Sequence, residues 1–187
     1  MGKQLGFLVD SERCIGCHSC EMACKNYYQL HPSLRRRKVH PIQENDYSMP
    51  ERNYMSLACN HCVEPECMRV CPVGAYSKRD DGIVMHDPSR CIGCKMCIMA
   101  CPYQVPQFDP EVKKVDKCKM CAQLIDKGEK PACVAGCPME AIQIIDITSF
   151  NKYGAVKLLP GFPNPSITKP SVRFIKPTIG KQIRRDK

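Results

Sequence analysis

The sequence predicts a small α+β protein made of two duplicated cysteine-rich modules, one contiguous and one circularly permuted around it, followed by an extended basic C-terminal arm. Three observations predict this. Sixteen of the 187 residues are cysteine, and they fall into four groups of four. Two stretches repeat: Asp10-Ser-Glu-Arg-Cys14-Ile-Gly-Cys17 matches Asp87-Pro-Ser-Arg-Cys91-Ile-Gly-Cys94, and Cys71-Pro-Val-Gly-Ala75 matches Cys137-Pro-Met-Glu-Ala141. The charge is also lopsided. The formal +9 of the chain divides into 19 basic and 18 acidic side chains over residues 1–150, and nine basic and one acidic over residues 151–187.

The first group, Cys14, Cys17, Cys20 and Cys24, has the spacing C-x2-C-x2-C-x3-C, and the third, Cys91, Cys94, Cys97 and Cys101, repeats it. The second, Cys59, Cys62, Cys67 and Cys71, has four residues in its middle gap, and the fourth, Cys118, Cys121, Cys133 and Cys137, has eleven. Pro72, Pro102 and Pro138 follow the last Cys of three groups, and Lys25 takes that place in the first. This is the bacterial iron–sulfur run, in which three close cysteines hold three irons of one 4Fe–4S cluster and the fourth, ahead of Pro, ligates the other cluster of a pair. A short loop wraps the cube by turning its backbone N–H groups inward, and Gly16 and Gly93 permit such turns. Sixteen thiolates serve four 4Fe–4S clusters with none left over.

Three other uses of cysteine fit less well. A disulfide scaffold conflicts with the repeated C-x2-C spacing and with the lack of a secretory leader. Zinc sites use two separated pairs, whereas the first and third groups crowd four cysteines into eleven residues. Cys14-Ile-Gly-Cys17-His18 has the form of a c-type haem attachment, but in the matching stretch Lys95 follows Cys94.

Between the second and third groups, Ala75-Tyr-Ser-Lys-Arg, Asp80-Asp81-Gly82 and Ile83-Val-Met-His read as a strand, a turn and a returning strand. Groups two and three therefore form one contiguous two-cluster ferredoxin module over residues 55–108. Group four leads into a strand at Ala141 to Ile145, and its returning strand is Gly6 to Val9, ahead of group one. Groups one and four then form the permuted module, residues 1–54 and 109–150, with residues 151–187 as a Pro-rich basic tail. Crossed ligation predicts four sets: Cys14, Cys17, Cys20 and Cys137; Cys118, Cys121, Cys133 and Cys24; Cys59, Cys62, Cys67 and Cys101; and Cys91, Cys94, Cys97 and Cys71.

The tail, with Pro160, Pro163, Pro165, Pro170 and Pro177 and no cysteine, reads as an extended arm for a partner protein or anionic lipid. It lacks a helical basic face or a stacking set, so no nucleic acid partner is expected. Residues 25–58, with Arg35, Arg36, Arg37 and Lys38, and residues 102–117 read as long loops, the basic run being a solvated or interaction surface. Residues 122–132 read as a short helix ended at Gly128. His18 and His61, beside ligands, are expected to hydrogen-bond near clusters, and Met96, Met99, Met120 and Met139 to pack around them. No stretch is long and apolar enough to span a membrane, and Met1 to Asp10 has no apolar leader core. No pocket chemistry, nucleophile–base pair or phosphate loop is legible, so no catalytic residue is assigned.

The stretch Gly6 to Lys25 resembles the start of the four-cluster electron-transfer subunit of the dimethyl sulfoxide reductase (molybdopterin oxidoreductase) family. So do Cys59-Asn-His-Cys-Val-Glu-Pro-Glu-Cys-Met-Arg-Val-Cys-Pro72 and Cys91-Ile-Gly-Cys-Lys-Met-Cys-Ile-Met-Ala-Cys-Pro-Tyr103. The similarity covers about residues 4 to 147 and leaves the tail outside. It implies a non-catalytic subunit of anaerobic respiration that passes electrons between an integral membrane quinol subunit and a large molybdopterin-type catalytic subunit. It also implies peripheral membrane association, on the outer face if the chain is exported with its partner and on the cytoplasmic face otherwise. The alternatives are a polyferredoxin-like subunit of a hydrogenase, carbon monoxide dehydrogenase or formate dehydrogenase complex, or a zinc-stabilised interaction protein.

Overall fold

The computed structural model of the chain describes residues 2–42, 53–151 and 154–177. The chain opens with strand β1 (Leu5–Asp10), an almost uninterrupted apolar run whose first five residues are buried, as a strand with neighbours on both sides requires. The first cysteine loop leads into helix α1 (Ser19–Tyr28), which carries Cys20 and Cys24 four residues apart on its buried face. A hairpin of β2 (Lys38–Pro41) and β3 (Tyr54–Leu57) follows, then the second cysteine loop and helix α2 (Glu66–Arg69). β4 (Tyr76–Lys78) and β5 (Val84–His86) pair antiparallel around the Gly82 turn. The third loop runs into α3 (Met96–Ala100), then into a further hairpin, β6 (Gln107–Asp109) with β7 (Lys114–Asp116). The fourth group flanks α4 (Ala122–Asp126) and α5 (Ala132–Ala135), and β8 (Ile142–Asp146) leads out of it.

Two structural half-repeats are visible. β1 pairs antiparallel with β8, Leu5 opposite Asp146 and Val9 opposite Ile142, and α1 packs on α5. β4 pairs antiparallel with β5, and α2 packs on α3. Gln4 holds the two together: its buried side-chain amide donates to the carbonyls of His61 (3.0 Å) and Gly82 (3.3 Å). The Leu5 N–H donates to Asp81 O at 2.7 Å. The main core runs through both halves, with Phe7, Met55, Ile83 and Ile142 packed among Cys20, Cys24, Cys59, Cys118 and Cys133.

The tail differs from the extended arm expected of it. After β9 (Ala155–Val156), β10 (Val172–Ile175) enters the central sheet parallel to β1, giving the order β8-β1-β10-β9. Leu159, Phe162, Val172 and Phe174 are buried, and Phe162 lies between Tyr103 (5.0 Å, stacked) and Phe174 (5.2 Å, edge-on). The prolines punctuate a strap rather than extend an arm, and the apolar residues between them find partners far away in sequence. At the crossing, a Cβ on Gly6 would stand 2.0 Å from Ser171 O, so β10 approaches β1 over a residue without a side chain. Five of the tail's nine basic positions, 152, 181, 184, 185 and 187, lie outside the described residues.

The two stretches read as long loops contain the β2–β3 and β6–β7 hairpins. The helix ended at Gly128 is α4, capped by the Gly128 N–H on Ile125 O and the Glu129 N–H on Leu124 O, both 2.9 Å.

Candidate iron–sulfur sites

The first Cys-x2-Cys loop of each cysteine group makes the same turn. Its third residue is left-handed: Gly16 at φ 71°, His61 at 41°, Gly93 at 72° and Met120 at 53°. Two of the four are glycine, for which this conformation carries no steric penalty. At Gly93 crowding adds a second requirement, since a Cβ there would come 2.4 Å from Lys113 O. The turn aims the third residue's N–H back at the first sulfur. Gly93 donates to Cys91 Sγ (3.4 Å) and Met120 to Cys118 Sγ (3.3 Å), and the backbone at Gly16 and His61 does the same for Cys14 and Cys59. In the matched Cys-Pro segments, the Ala75 and Ala141 N–H groups each donate to the sulfur four residues back, Cys71 and Cys137, at 3.3 Å. N–H groups aimed at sulfur stabilise thiolate and any anionic centre it holds.

The fold gathers the cysteines as follows. Burial pushes the Cys14 thiol up, and Cys20, Cys137 and Cys17 are close enough to add to the rise. Cys24, also raised mainly by burial, faces Cys118, Cys133 and Cys121. Cys59, Cys62, Cys67 and Cys101 line one apolar cavity with Pro65, Val84, Tyr103 and Thr168. Cys97 is raised by burial and then by Cys91 and Cys94, and Cys71 and Cys91 pack with it in a second small core. Only Cys17 and Cys94 are exposed. Among the described residues no three Cys, His, Asp or Glu side chains converge on a single ion. Sulfurs grouped but not convergent suit a cube, where each thiolate takes a different iron.

Burial, with neighbouring cysteines adding to it, pushes such thiols far up, Cys62 to about 12 against the pull of Thr168 and Cys133 to about 11 against that of Arg37. Iron binding would draw off those protons and hold the sulfurs as thiolates. Counter-charge stands ready in the interior. Lys117, 1% exposed, donates from Nζ to the carbonyls of Val84 and Cys118 and lies 3.8 Å from Cys59 Sγ. His61 accepts the Val84 N–H on Nδ1 (3.0 Å), so Nε2 carries its proton and faces Cys118 Sγ at 3.9 Å. Burial, then Lys117 and Arg37, hold that imidazole neutral. The buried Tyr76 hydroxyl has no nitrogen or oxygen partner among the described residues and faces the Cys97 thiol, and the Tyr28 hydroxyl faces Cys121. Arg37 is buried beside Cys133, Cys20 and Cys118, and among the described residues its Nε and Nη2 have no nitrogen or oxygen partner. Orphaned buried donors of this kind fit the sulfides and thiolates of bound clusters.

His61 is near a sulfur, as the sequence suggests, and adds a left-handed turn and a link between two cysteine groups. Ser56, Lys117, Tyr76 and Thr168 carry no sequence signal, and Arg37, read from the sequence as part of a solvated or interaction surface, is instead buried. Lys117 adjoins Cys118, but nothing local marks it as buried.

The family described as "4Fe-4S dicluster domain" matches residues 50–147, and that described as "4Fe-4S binding domain" matches residues 5–26. The chain is 39% identical over 188 residues to the probable anaerobic dimethyl sulfoxide reductase chain YnfG of Escherichia coli (strain K12), covering 95% of this chain and 90% of that one. It is 38% identical over 144 residues to the thiosulfate reductase electron transfer subunit PhsB of Salmonella typhi, covering 75% of this chain and 74% of that one. It is 35% identical to the formate dehydrogenase iron-sulfur subunit of Wolinella succinogenes, covering 78% and 82%. With its sixteen cysteines in the turns just described, the chain belongs to the 4Fe–4S dicluster family and, within it, to the iron–sulfur electron-transfer subunits of the dimethyl sulfoxide reductase type, with ligands for four 4Fe–4S clusters.

Proposed function

We propose that the chain relays single electrons through four 4Fe–4S clusters between an integral membrane quinol or quinone subunit and a large molybdopterin-type catalytic subunit. The observation that carries this is serial adjacency. Cys67 packs in the second core with Cys71, Cys91 and Cys97; Cys59 is within electrostatic reach of Cys118; and Arg37 spans Cys118 and Cys20. The ligand sets are Cys91, Cys94, Cys97 and Cys71; Cys59, Cys62, Cys67 and Cys101; Cys118, Cys121, Cys133 and Cys24; and Cys14, Cys17, Cys20 and Cys137, in that order along the path.

Residues 55–108 form the contiguous ferredoxin module, and residues 1–54 and 109–150 the permuted one. The β4–β5 and β1–β8 pairings, with α2 on α3 and α1 on α5, support this division. When bound, each cluster takes up and releases one electron, and four protein thiolates leave it no open iron for substrate. The permuted module faces the catalytic subunit and the contiguous one the membrane subunit. Among the described residues no helix is long and apolar enough to cross a membrane, which is consistent with peripheral association through partners. A second reading, an electron-transfer subunit of a formate dehydrogenase complex, is favoured by the similarity to the Wolinella succinogenes subunit.

Chain purified anaerobically with its partners should hold roughly sixteen irons, four per cluster. Cys101→Ser should remove the signal that Cys59→Ser removes, and Cys71→Ser the signal that Cys91→Ser removes. Stoichiometric zinc with almost no iron would sink the proposal, and uncrossed losses would sink the ligand sets. The identity of the co-purifying large subunit separates the two readings.

A further inference from the structure

Three consecutive arginines meet three different fates. Arg35 is mostly exposed and lies 3.8 Å from Glu21. Arg36 is neutralised: Nε and Nη2 each donate to Asp116 at 2.6 Å, and its guanidinium covers the Tyr28 ring at 4.1 Å. Arg37 is 2% exposed, and among the described residues no carboxylate pairs with it. Its Nη1 donates to Ser56 O (3.0 Å) and Ser56 Oγ (3.1 Å), and its flat face lies over the Phe7 ring at 4.5 Å. Among the described residues Nε and Nη2 have no nitrogen or oxygen partner, and the guanidinium faces the Cys133 thiol. The titratable groups that act on it most strongly are cysteines, Cys133, Cys20 and Cys118, and Cys24 and His61 respond to it in turn. Ser56 ties the arrangement down, because its Oγ is also 3.3 Å from Cys20 Sγ.

Resting on the ligand sets proposed above, we infer that Arg37 is a fixed cation shared by two neighbouring clusters, those of Cys14, Cys17, Cys20 and Cys137 and of Cys24, Cys118, Cys121 and Cys133, and that it raises the reduction potential of both. Guanidinium keeps its proton at every accessible pH, so the charge is permanent. A buried cation without a carboxylate is strongly unfavourable unless an anion completes it. Here the anions are the thiolate-bound clusters. One-electron reduction adds negative charge on either side of Arg37, so the reduced form gains more from the cation than the oxidised form does. Salt screens a buried charge of this kind poorly. The sets around Cys62 and Cys91 lie beyond its contacts and are governed by other groups, Lys117 and Tyr76 among them.

The test is an EPR-monitored redox titration of the holoprotein with its partner subunits, comparing wild type, Arg37→Gln and Arg37→Lys, with iron counted in each. Arg37→Gln should lower two midpoints of the four, each by a tenfold or larger change in the reduction equilibrium, which is about 59 mV for a one-electron couple. Arg37→Lys keeps the charge and should restore most of the shift. Cys20→Ser and Cys133→Ser should each erase one of the two moving signals. Four unmoved midpoints at full iron, four that move equally, or a Lys variant as shifted as the Gln variant would overturn the assignment while leaving the ligand sets standing. A wild type with fewer than four clusters would overturn those sets instead. If Arg37→Gln does not keep its iron, Ser56→Ala carries the test. It should move the same two midpoints, and no movement overturns the role of Arg37.

Discussion

The Tyr103 hydroxyl and Thr168 Oγ1 are 2.8 Å apart, one following the third cysteine group and the other in the C-terminal strap. Both line the cavity of Cys59, Cys62, Cys67 and Cys101, and Thr168 counters the rise of the Cys62 thiol. The strap therefore closes a cysteine site. Tyr103→Phe or Thr168→Val should remove about 0.5–1.5 kcal/mol of stabilisation. Each should also speed loss of one cluster in air, followed as bleaching of its visible absorption. Equal rates in the variants and wild type would show that the strap does not guard this site.

The core includes the tail, so the tail has a measurable weight. Phe174, 0% exposed, is carried by β10 beside β1. Phe174→Ala should destabilise the protein by about 3–5 kcal/mol, whereas truncating an exposed residue of the same strap, as in Leu158→Ala, should change little. The urea concentration that releases half the iron reads both.

Gly6 is a site where even a methyl group does not fit, with Ser171 O at 2.0 Å from an added Cβ. Gly6→Ala should part β10 from β1 and expose the Phe7 amide, which donates to Ser171 O at 3.0 Å. Faster hydrogen exchange at Phe7 and Val172, with the β4–β5 amides unchanged, is the expected result. Gly2→Ala, whose Cβ meets its nearest neighbour at 3.6 Å, is the control.

His86 ties stability to pH. Its ring packs on Tyr76 at 4.8 Å, and burial, then Lys117 and Lys119, push its pKa down to about 4 against the pull of Asp116 and Asp87. The unfolded chain takes up this proton near ~6.5, and the folded chain refuses it until about 4. The neutral ring's contribution is therefore fully present above ~6.5 and fades as pH falls toward about 4, with a slope of up to ~1.4 kcal/mol per pH unit. His86→Gln does not titrate, so the ratio of iron-release rates at pH 5 and pH 7.5 in fixed urea should be smaller in the variant. An unchanged ratio would remove His86 from the acid response.

The features legible in the sequence are local ones. The Gly82 turn, the β4–β5 hairpin, the Gly128 stop and the left-handed Gly16 and Gly93 follow from a few adjacent residues, where Gly and β-branched side chains act through backbone sterics. His61 and Met120 share the left-handed turn without glycine, and only alignment of the first Cys-x2-Cys loops of the four groups marks their positions. The arginine triplet shows where this legibility stops. Arg36 finds Asp116 80 residues away and Arg37 finds Ser56 19 residues away, so identical neighbours in sequence become a neutral ion pair and an unpaired buried cation. The strap departs from the expected arm for the same reason: proline and lysine content describe what a segment does alone, while Phe162 and Phe174 are ordered by Tyr103 and β1.

By itself, the sequence determined the cysteine grouping, the internal repeat and the strands β1, β4, β5 and β8, because ligand spacing and turn chemistry act over a few residues. Tertiary structure alone decided which cations lie between the cysteine groups, that the tail closes a site, and that β10 joins the central sheet. Those outcomes depend on burial and on partners brought together by folding, and no local pattern of charge or apolarity carries that information.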